Sequence, residues 1–268
     1  MPRNATTSRS GQRFYEWRSD RYWSVTTILS GGVPKPALLP WGIKMVAEGA
    51  VEAVEKGTLS GMVEQDREGA IRWLKGLPWA ARDKAADLGT AIHEAIEAYV
   101  LGKPFPKWGS LIVKRMRHVE QFLADYGPTY HMTEASVFNR TQRYAGTLDA
   151  IATVGGRTLV IDVKSGKAVY PETALQLAAY RWAEFVGAPD GSEQPMPITV
   201  GAAVLHLTDE GYSFQHVESG RDVFQFFLYC REVFRWQEEF SKTVIGAEIP
   251  LPGSETPEQI ELAEAVSE

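Results

Sequence analysis

Apolar and polar positions alternate most clearly between Tyr144 and Tyr180, in YAGTLDAIATVGGRTLVIDVKSGKAVYPETALQLAAY. Two apolar, β-branched runs flank Gly155-Gly156, the composition of a tight hairpin turn. Each run carries one aspartate, Asp149 and Asp162. Alternate residues of a strand share a face, so Asp162 and Lys164 project together while Ile161 and Val163 point the other way, into a core. A tight hairpin sets Asp149 beside Asp162. Pro171 and Glu172 then open a helix, with proline at the first helical position and an acid in the first turn. Gln176 and Tyr180, four apart, share one face of it.

Upstream, apolar residues recur at helical spacing in residues 43–57 (Ile43, Val46, Ala50, Val51, Val54) and 61–75 (Met62, Ile71, Leu74). Gly61 and the stretch from Lys75 to Pro78 punctuate them and predict a helix stop. Residues 79–101 form the next helix, with Leu88, Ile92, Ala95, Ile96 and Tyr99 as its stripe and Gly102 as its stop. His93 lies off that stripe, one turn after Gly89 and near Ala86 and Thr90, on a face with room for an ion and a phosphate. Residues 109–126 read as an amphipathic helix with Lys114, Arg115, Arg117 and His118 on or near its exposed side. Residues 130–139 read as a strand, and its Glu134 points either to a site or to solvent. Asn139, Arg140 and Arg143 fill the short loop before the next strand. An arginine fork there matches phosphate oxygens, and a plain surface loop fits equally well.

Past the Gln176 helix, residues 197–219 read as two strands around an Asp-Glu-Gly turn. Residues 220–243 read as a helix whose Phe224, Phe226, Phe227, Tyr229, Phe234 and Trp236 divide between core and a homo-oligomer face. The order of elements predicts an α/β fold, a central mixed sheet flanked by helices. The expected partition is a flexible basic arm at 1–20, an N-terminal helical lobe at 21–78, a core at 79–245 and an acidic tail at 246–268.

Composition changes this picture little. The 268 residues are 44% hydrophobic, enough for a large core. No apolar run reaches a membrane span, and no signal-peptide-like stretch opens the sequence, so a cytoplasmic protein is expected. One cysteine, Cys230, excludes an intrachain disulfide and an iron–sulfur cluster held by four thiolates of this chain. There is no G-x-x-x-x-G-K-[ST] loop, so no ATP site is expected. The formal charge of −6 gives no support for nucleic acid, although Glu248, Glu255, Glu258, Glu261, Glu264 and Glu268 account for it.

Two carboxylates inside a sheet repel by about 4 kcal/mol at ~4 Å and an effective dielectric near 20. A divalent cation removes that cost, and hard oxygen donors favour magnesium or manganese. Taken alone, Asp162-x-Lys164 reads as an ordinary salt bridge. A zinc-protease reading of His93-Glu94 fails, because Glu97 stands where H-E-x-x-H needs its second histidine.

The ordered set G-x-x-D (Gly146 to Asp149), D-x-K (Asp162 to Lys164) and Q-x-x-x-Y (Gln176 to Tyr180) resembles the PD-(D/E)XK nuclease superfamily. The similar branch is that of RecB-like and phage recombination exonucleases, here without the iron–sulfur cluster some of them carry. The motifs span residues 86 to 184. The resemblance implies a restriction-endonuclease-like core and metal-dependent hydrolysis of DNA. It implies metal ligands at His93, Asp149, Asp162 and the Val163 carbonyl, with Asp149, Asp162 and Lys164 in the chemistry. Gln176 and Tyr180 would hold the substrate end or buttress Lys164, and Arg140 and Arg143 would bind phosphate. It further implies a DNA partner, a companion single-strand annealing or recombinase protein, and exonuclease action in recombination or repair. A structure-specific endonuclease and a silent DNA-binding protein on the same fold are the alternatives.

Overall fold

One mixed sheet runs through the computed structural model, which describes residues 5–8, 11–103, 109–249 and 251. In chain order the elements are β1 (Ala5–Thr7), β2 (Arg13–Trp17), β3 (Asp20–Ser24), α1 (Val25–Gly32), α2 (Leu38–Glu55), α3 (Thr58–Gln65), α4 (Arg67–Val100), α5 (Ser110–Tyr126), β4 (Thr129–Asn139), β5 (Tyr144–Val154), β6 (Arg157–Lys164), α6 (Glu172–Arg181), β7 (Phe185–Gly187), β8 (Glu193–Pro195), β9 (Gly201–Leu207), β10 (Tyr212–Val217) and α7 (Arg221–Glu238). The β5–β6 turn has both glycines at positive φ, 55° at Gly155 and 76° at Gly156, as a two-residue hairpin loop requires. No helix among the described residues is long and apolar enough to cross a membrane.

The sheet forks at β5. Its one edge is paired with β4 along its length. Its other edge is shared: β3 pairs in parallel at Tyr144 and Ala145, and β6 pairs antiparallel from Ala150 to Val154. Between these, at residues 146–149, no described strand pairs on that edge. The G-x-x-D segment is therefore the gap in the sheet. β6 then pairs in parallel with β9 and β9 antiparallel with β10, with α6 in the crossover.

Alternation sorts the core onto two faces. Val163, Leu205 and Leu207 pack with Ile92 of α4 and with Ile112, Met116, Val119 and Phe122 of α5. Val160, Ala202 and Val204 pack with Val25 and Ile28 of α1, Leu177 of α6 and Phe227 of α7. Helices thus cover both faces, and the expected mixed sheet flanked by helices is present.

Several expectations change. The basic arm at 1–20 contains β1 and β2, hydrogen-bonded into the sheet, with Tyr15 and Trp17 packed against Phe138. Residues 1–4, 9 and 10 lie outside the described residues, as do 252–268, which hold most of the acidic tail. In the lobe expected at 21–78, β3 and α1 belong to the core, so the separate helical part is α2, α3 and the start of α4.

The stop expected at Lys75–Pro78 is absent, because α4 runs through Pro78. The ring removes one backbone N–H, a cost of about 3 kcal/mol in a helix interior. Contacts across α2 oppose that cost. A Cβ on Gly49 of α2 would lie 2.2 Å from Leu77 Cδ1, so the two helices touch closely at this point. The helix also starts well, since the Asp66 side chain accepts a hydrogen bond from Gly69 N at 2.8 Å.

Arg115 is buried rather than solvated. It donates to the carbonyls of Ser165 (2.7 Å) and Leu207 (2.6 Å) and to Asp209 (2.9 Å), tying α5 to the ends of β6 and β9. On α7, Phe224, Phe227 and Phe234 enter the core while Phe226, Tyr229 and Trp236 are exposed. The short strands β7 and β8 have no counterpart in the apolar pattern.

Candidate metal centre

The gap in the sheet is where the candidate residues meet. Continuing the β5–β6 register one step past Ala150↔Ile161 sets Asp149 across from Asp162. No ladder bond closes that step. Instead Val163 N donates to Asp149 Oδ2 at 2.7 Å, so a side chain takes the role of a strand carbonyl. His93 comes from α4 on one face of the sheet. Its Nε2 lies 3.1 Å from the Val163 carbonyl oxygen, and its Nδ1 lies 3.4 Å from Asp149 Oδ1 and 3.9 Å from Glu134 Oε1. One backbone unit, Val163, thus holds Asp149 through its N–H and His93 through its oxygen.

Glu134 completes the group. Donor atoms of His93, Glu134 and Asp149 all lie within 4.8 Å of one another. Glu134 has φ +47°, a left-handed conformation in the middle of β4. A side chain with a Cβ stays there at a cost on the order of 1–3 kcal/mol and only where its surroundings enforce it. The register with β5 is the same on either side of Glu134, whose carboxylate reaches to 3.9 Å from His93 Nδ1. The apolar pattern left Glu134 undecided between site and solvent, because alternation carries no information about a left-handed residue within a strand.

The second half of the site lies on the α6 side. Asp162 is 2% exposed. Its Oδ1 accepts a hydrogen bond from Lys164 Nζ at 3.0 Å. Its Oδ2 lies 2.8 Å from the same nitrogen but is buried without a hydrogen bond of proper geometry. Lys164 also donates to Gln176 Oε1 at 3.2 Å, and Gln176 Nε2 donates to the Tyr180 hydroxyl at 3.2 Å. Tyr180 is seated against bare backbone, since a Cβ on Gly146 would come within 2.5 Å of its ring. The glycine of G-x-x-D is thus required by the tyrosine of Q-x-x-x-Y. Asp162 is separate from the His93, Glu134 and Asp149 cluster and is engaged by Lys164.

Electrostatics couple the two halves. Burial alone would lower the His93 pKa, but the charge and hydrogen bond of Asp149, with Glu134, raise it to about 10. Burial pushes Asp149 up, and His93, the Val163 N–H and Lys164 bring it below the usual carboxylate range. Asp162 is raised to about 6 by burial and by the negative charge of Asp149, against the pull of Lys164.

Arg140 and Arg143 are elsewhere. Arg140 donates to Glu193 at 2.7 Å and lies over the Phe185 ring. Arg143 pairs with Asp20 at 3.0 Å and lies over Tyr22. Both precede Tyr144, the first residue of β5, which itself lies about 16 Å along the strand from Asp149 at ~3.3 Å per residue. The structure does not bring them to the site.

No family model and no curated protein matches this chain. Among solved structures, the crystal structure of SSO0001 covers 57% of this chain and 72% of its own, at 15% identity and a TM-score of 0.29. That likeness is too low to carry an argument.

The residues themselves suit a cation. Two carboxylates and a carbonyl oxygen are hard donors of the kind that take magnesium or manganese, and one imidazole adds a nitrogen donor beside them. A cavity of about 30 Å³ borders His93, Glu134, Asp149 and Val163, and its other walls include Ile96, Val100, Tyr130, Ile161 and Leu205. Oδ2 of Asp162, buried and ion-paired with the Lys164 ammonium at 2.8 Å, makes no hydrogen bond of proper geometry.

Proposed function

We propose that this chain is a metal-dependent DNA nuclease of the PD-(D/E)XK type, acting as an exonuclease. The observation that carries the reading is the convergence of His93, Glu134, Asp149 and the Val163 carbonyl beside the Asp162–Lys164–Gln176–Tyr180 hydrogen-bonded series. His93, Glu134, Asp149 and the Val163 carbonyl would hold the divalent ion, with Asp162 next to them. When bound, the ion supplies Lewis acidity toward a phosphoryl oxygen and lowers the pKa of water.

The chain's own groups do the rest. Lys164 carries a compact positive charge at the rim of the site, 30% exposed on its side chain, where a phosphate can reach it. It stabilises negative charge as water adds to phosphorus and the bond to the leaving sugar oxygen breaks, with one proton ending on that oxygen. Asp162 and Gln176 fix the Lys164 ammonium from two sides. Tyr180, wedged on Gly146, fixes Gln176. The Lys164–Gln176 hydrogen bond ties β6 to α6, so the charged group is held in place before substrate arrives, which limits the entropy lost on reaching a reactive geometry.

End-labelled linear DNA incubated with the protein and Mg2+ or Mn2+ tests the reading. Degradation is expected for the wild type, with a loss of a thousandfold or more in Asp149→Ala and Lys164→Ala at unchanged circular dichroism. A wild type without activity, or variants as active as the wild type, rejects it. Covalently closed circular DNA separates the classes, since an exonuclease leaves it intact.

A further inference from the structure

The helix that delivers His93 extends far outside the core. Residues 82–87 of α4 are all exposed. Downstream of Pro78, the positions Trp79, Arg82, Ala86, Gly89 and His93 follow a spacing of three and four and share one face. Accessibility falls along this face toward the site. Trp79 is 61% exposed, Arg82 and Ala86 are exposed, and Gly89 and His93 are half-buried. The Arg82 guanidinium lies 4.7 Å from the Trp79 ring centroid, held in part by hydrogen bonds to Asp83 at 3.0 and 2.8 Å. A Cβ on Gly89 would sit 3.7 Å from Ser165 Oγ, so the face borders the loop after β6, which carries exposed Lys167.

We propose that this face of α4 is the track by which a single strand of DNA reaches the site, with Trp79 and Arg82 forming a base-stacking platform at its outer end. The inference rests on the nuclease reading for its destination, but its binding step is separate. Trp79 keeps most of its surface open to solvent, and its ring is in contact with the Arg82 guanidinium. An aromatic face joined to a guanidinium is a sequence-tolerant surface for bases. Ala86 and Gly89 present no bulky side chain between the platform and His93. Lys167 supplies positive charge for the phosphates. Fourteen residues of helix separate Trp79 from His93, about 21 Å at ~1.5 Å per residue. That spans about six nucleotides at the ~3.4 Å stacked spacing of one DNA strand, and fewer in an extended one.

The test uses the full chain and fluorescein-labelled dT12, with Ca2+ in place of Mg2+ to hold the strand uncut. Anisotropy titration should show Trp79→Ala weakening binding by roughly ten- to hundredfold, the scale of one lost base stack, with Trp79→Phe staying within a few-fold of the wild type. The second readout is Mn2+-dependent hydrolysis of bis(p-nitrophenyl) phosphate, which is too short to reach Trp79 and should be unchanged in Trp79→Ala. Equal dT12 affinity in wild type and Trp79→Ala overturns the track. A parallel loss of hydrolysis of the short ester also overturns it, because Trp79 would then act through the fold. If the wild type cleaves neither substrate while the Trp79-dependent binding persists, the nuclease reading fails and the binding surface stands.

Discussion

Metal uptake at this site should expel a proton from His93, and the exchange should be visible both as heat and as melting temperature. In the metal-free protein the imidazole sits between Asp149, Glu134 and the Val163 carbonyl, and its pKa is raised to about 10 from 6.5. At pH 7 it is therefore an imidazolium, and a cation that takes its ring nitrogen must first displace the proton. Three pH units of competition correspond to about a thousandfold in apparent affinity, or ~4 kcal/mol at ~1.36 kcal/mol per unit. Apparent Mn2+ affinity should accordingly rise by nearly tenfold per pH unit from 7 toward 9. Titration calorimetry at pH 7.5 in buffers of different ionisation enthalpy should report close to one proton released per ion, and His93→Ala should release far fewer. The metal-free fold should show the opposite trend. A raised folded-state pKa contributes stability that is fully present below pH 6.5 and is lost as pH rises through about 10. The melting temperature of the metal-free protein should fall over that window while the increment from saturating Mn2+ grows. A pH-independent affinity with no proton release would refute the arrangement, since it would mean that His93 is already neutral or does not meet the ion.

Other expectations follow from the same geometry. Glu134→Gly relieves the left-handed strain and should raise thermal stability, by about 1 kcal/mol, while weakening Mn2+ binding; a gain in both would remove Glu134 from the site. Gly146→Ala forces a methyl to within 2.5 Å of the Tyr180 ring and should cost about 1–3 kcal/mol by urea denaturation, and activity should fall further than Tyr180→Phe lowers it. Arg115→Ala leaves the Ser165 and Leu207 carbonyls without their buried donor and should cost about 3–5 kcal/mol, with Arg115→Lys recovering little because one ammonium cannot span three acceptors.

The parts of this molecule that were legible in its sequence are those set by neighbours within one hairpin or one helix. The Gly155-Gly156 turn, the shared face of Asp162 and Lys164, and the Gln176–Tyr180 pair each depend on a spacing of two or four residues. Elements that depend on distant partners were not legible. Tyr15 and Trp17 lie in a polar, arginine-rich stretch, yet they form a strand because Phe138 and Phe185, more than a hundred residues away, supply the surface they cover. Arg115 sits among other basic residues on its helix, and only the carbonyl ends of β6 and β9 distinguish it. Pro78 would end an isolated helix, and α2 packed at Gly49 is what carries the chain through.

The fork at β5 belongs to the same class and has the largest consequence. Strand pairing normally occupies both edges of a central strand, so an acid there would face a neighbouring side chain at close range. Here β3 leaves the edge after Ala145 and β6 joins it only at Ala150. The unpaired interval lets His93 approach from the α4 side while Lys164 remains on the α6 side, with Asp149 between them. A substitution that lengthened β6 pairing by one step, sealing Asp149 against Asp162 with ladder bonds, would close that interval without altering any proposed ligand. The arrangement therefore depends on where two strands stop as much as on which acids they carry, and a stop of that kind is encoded in both partners at once rather than in the motif.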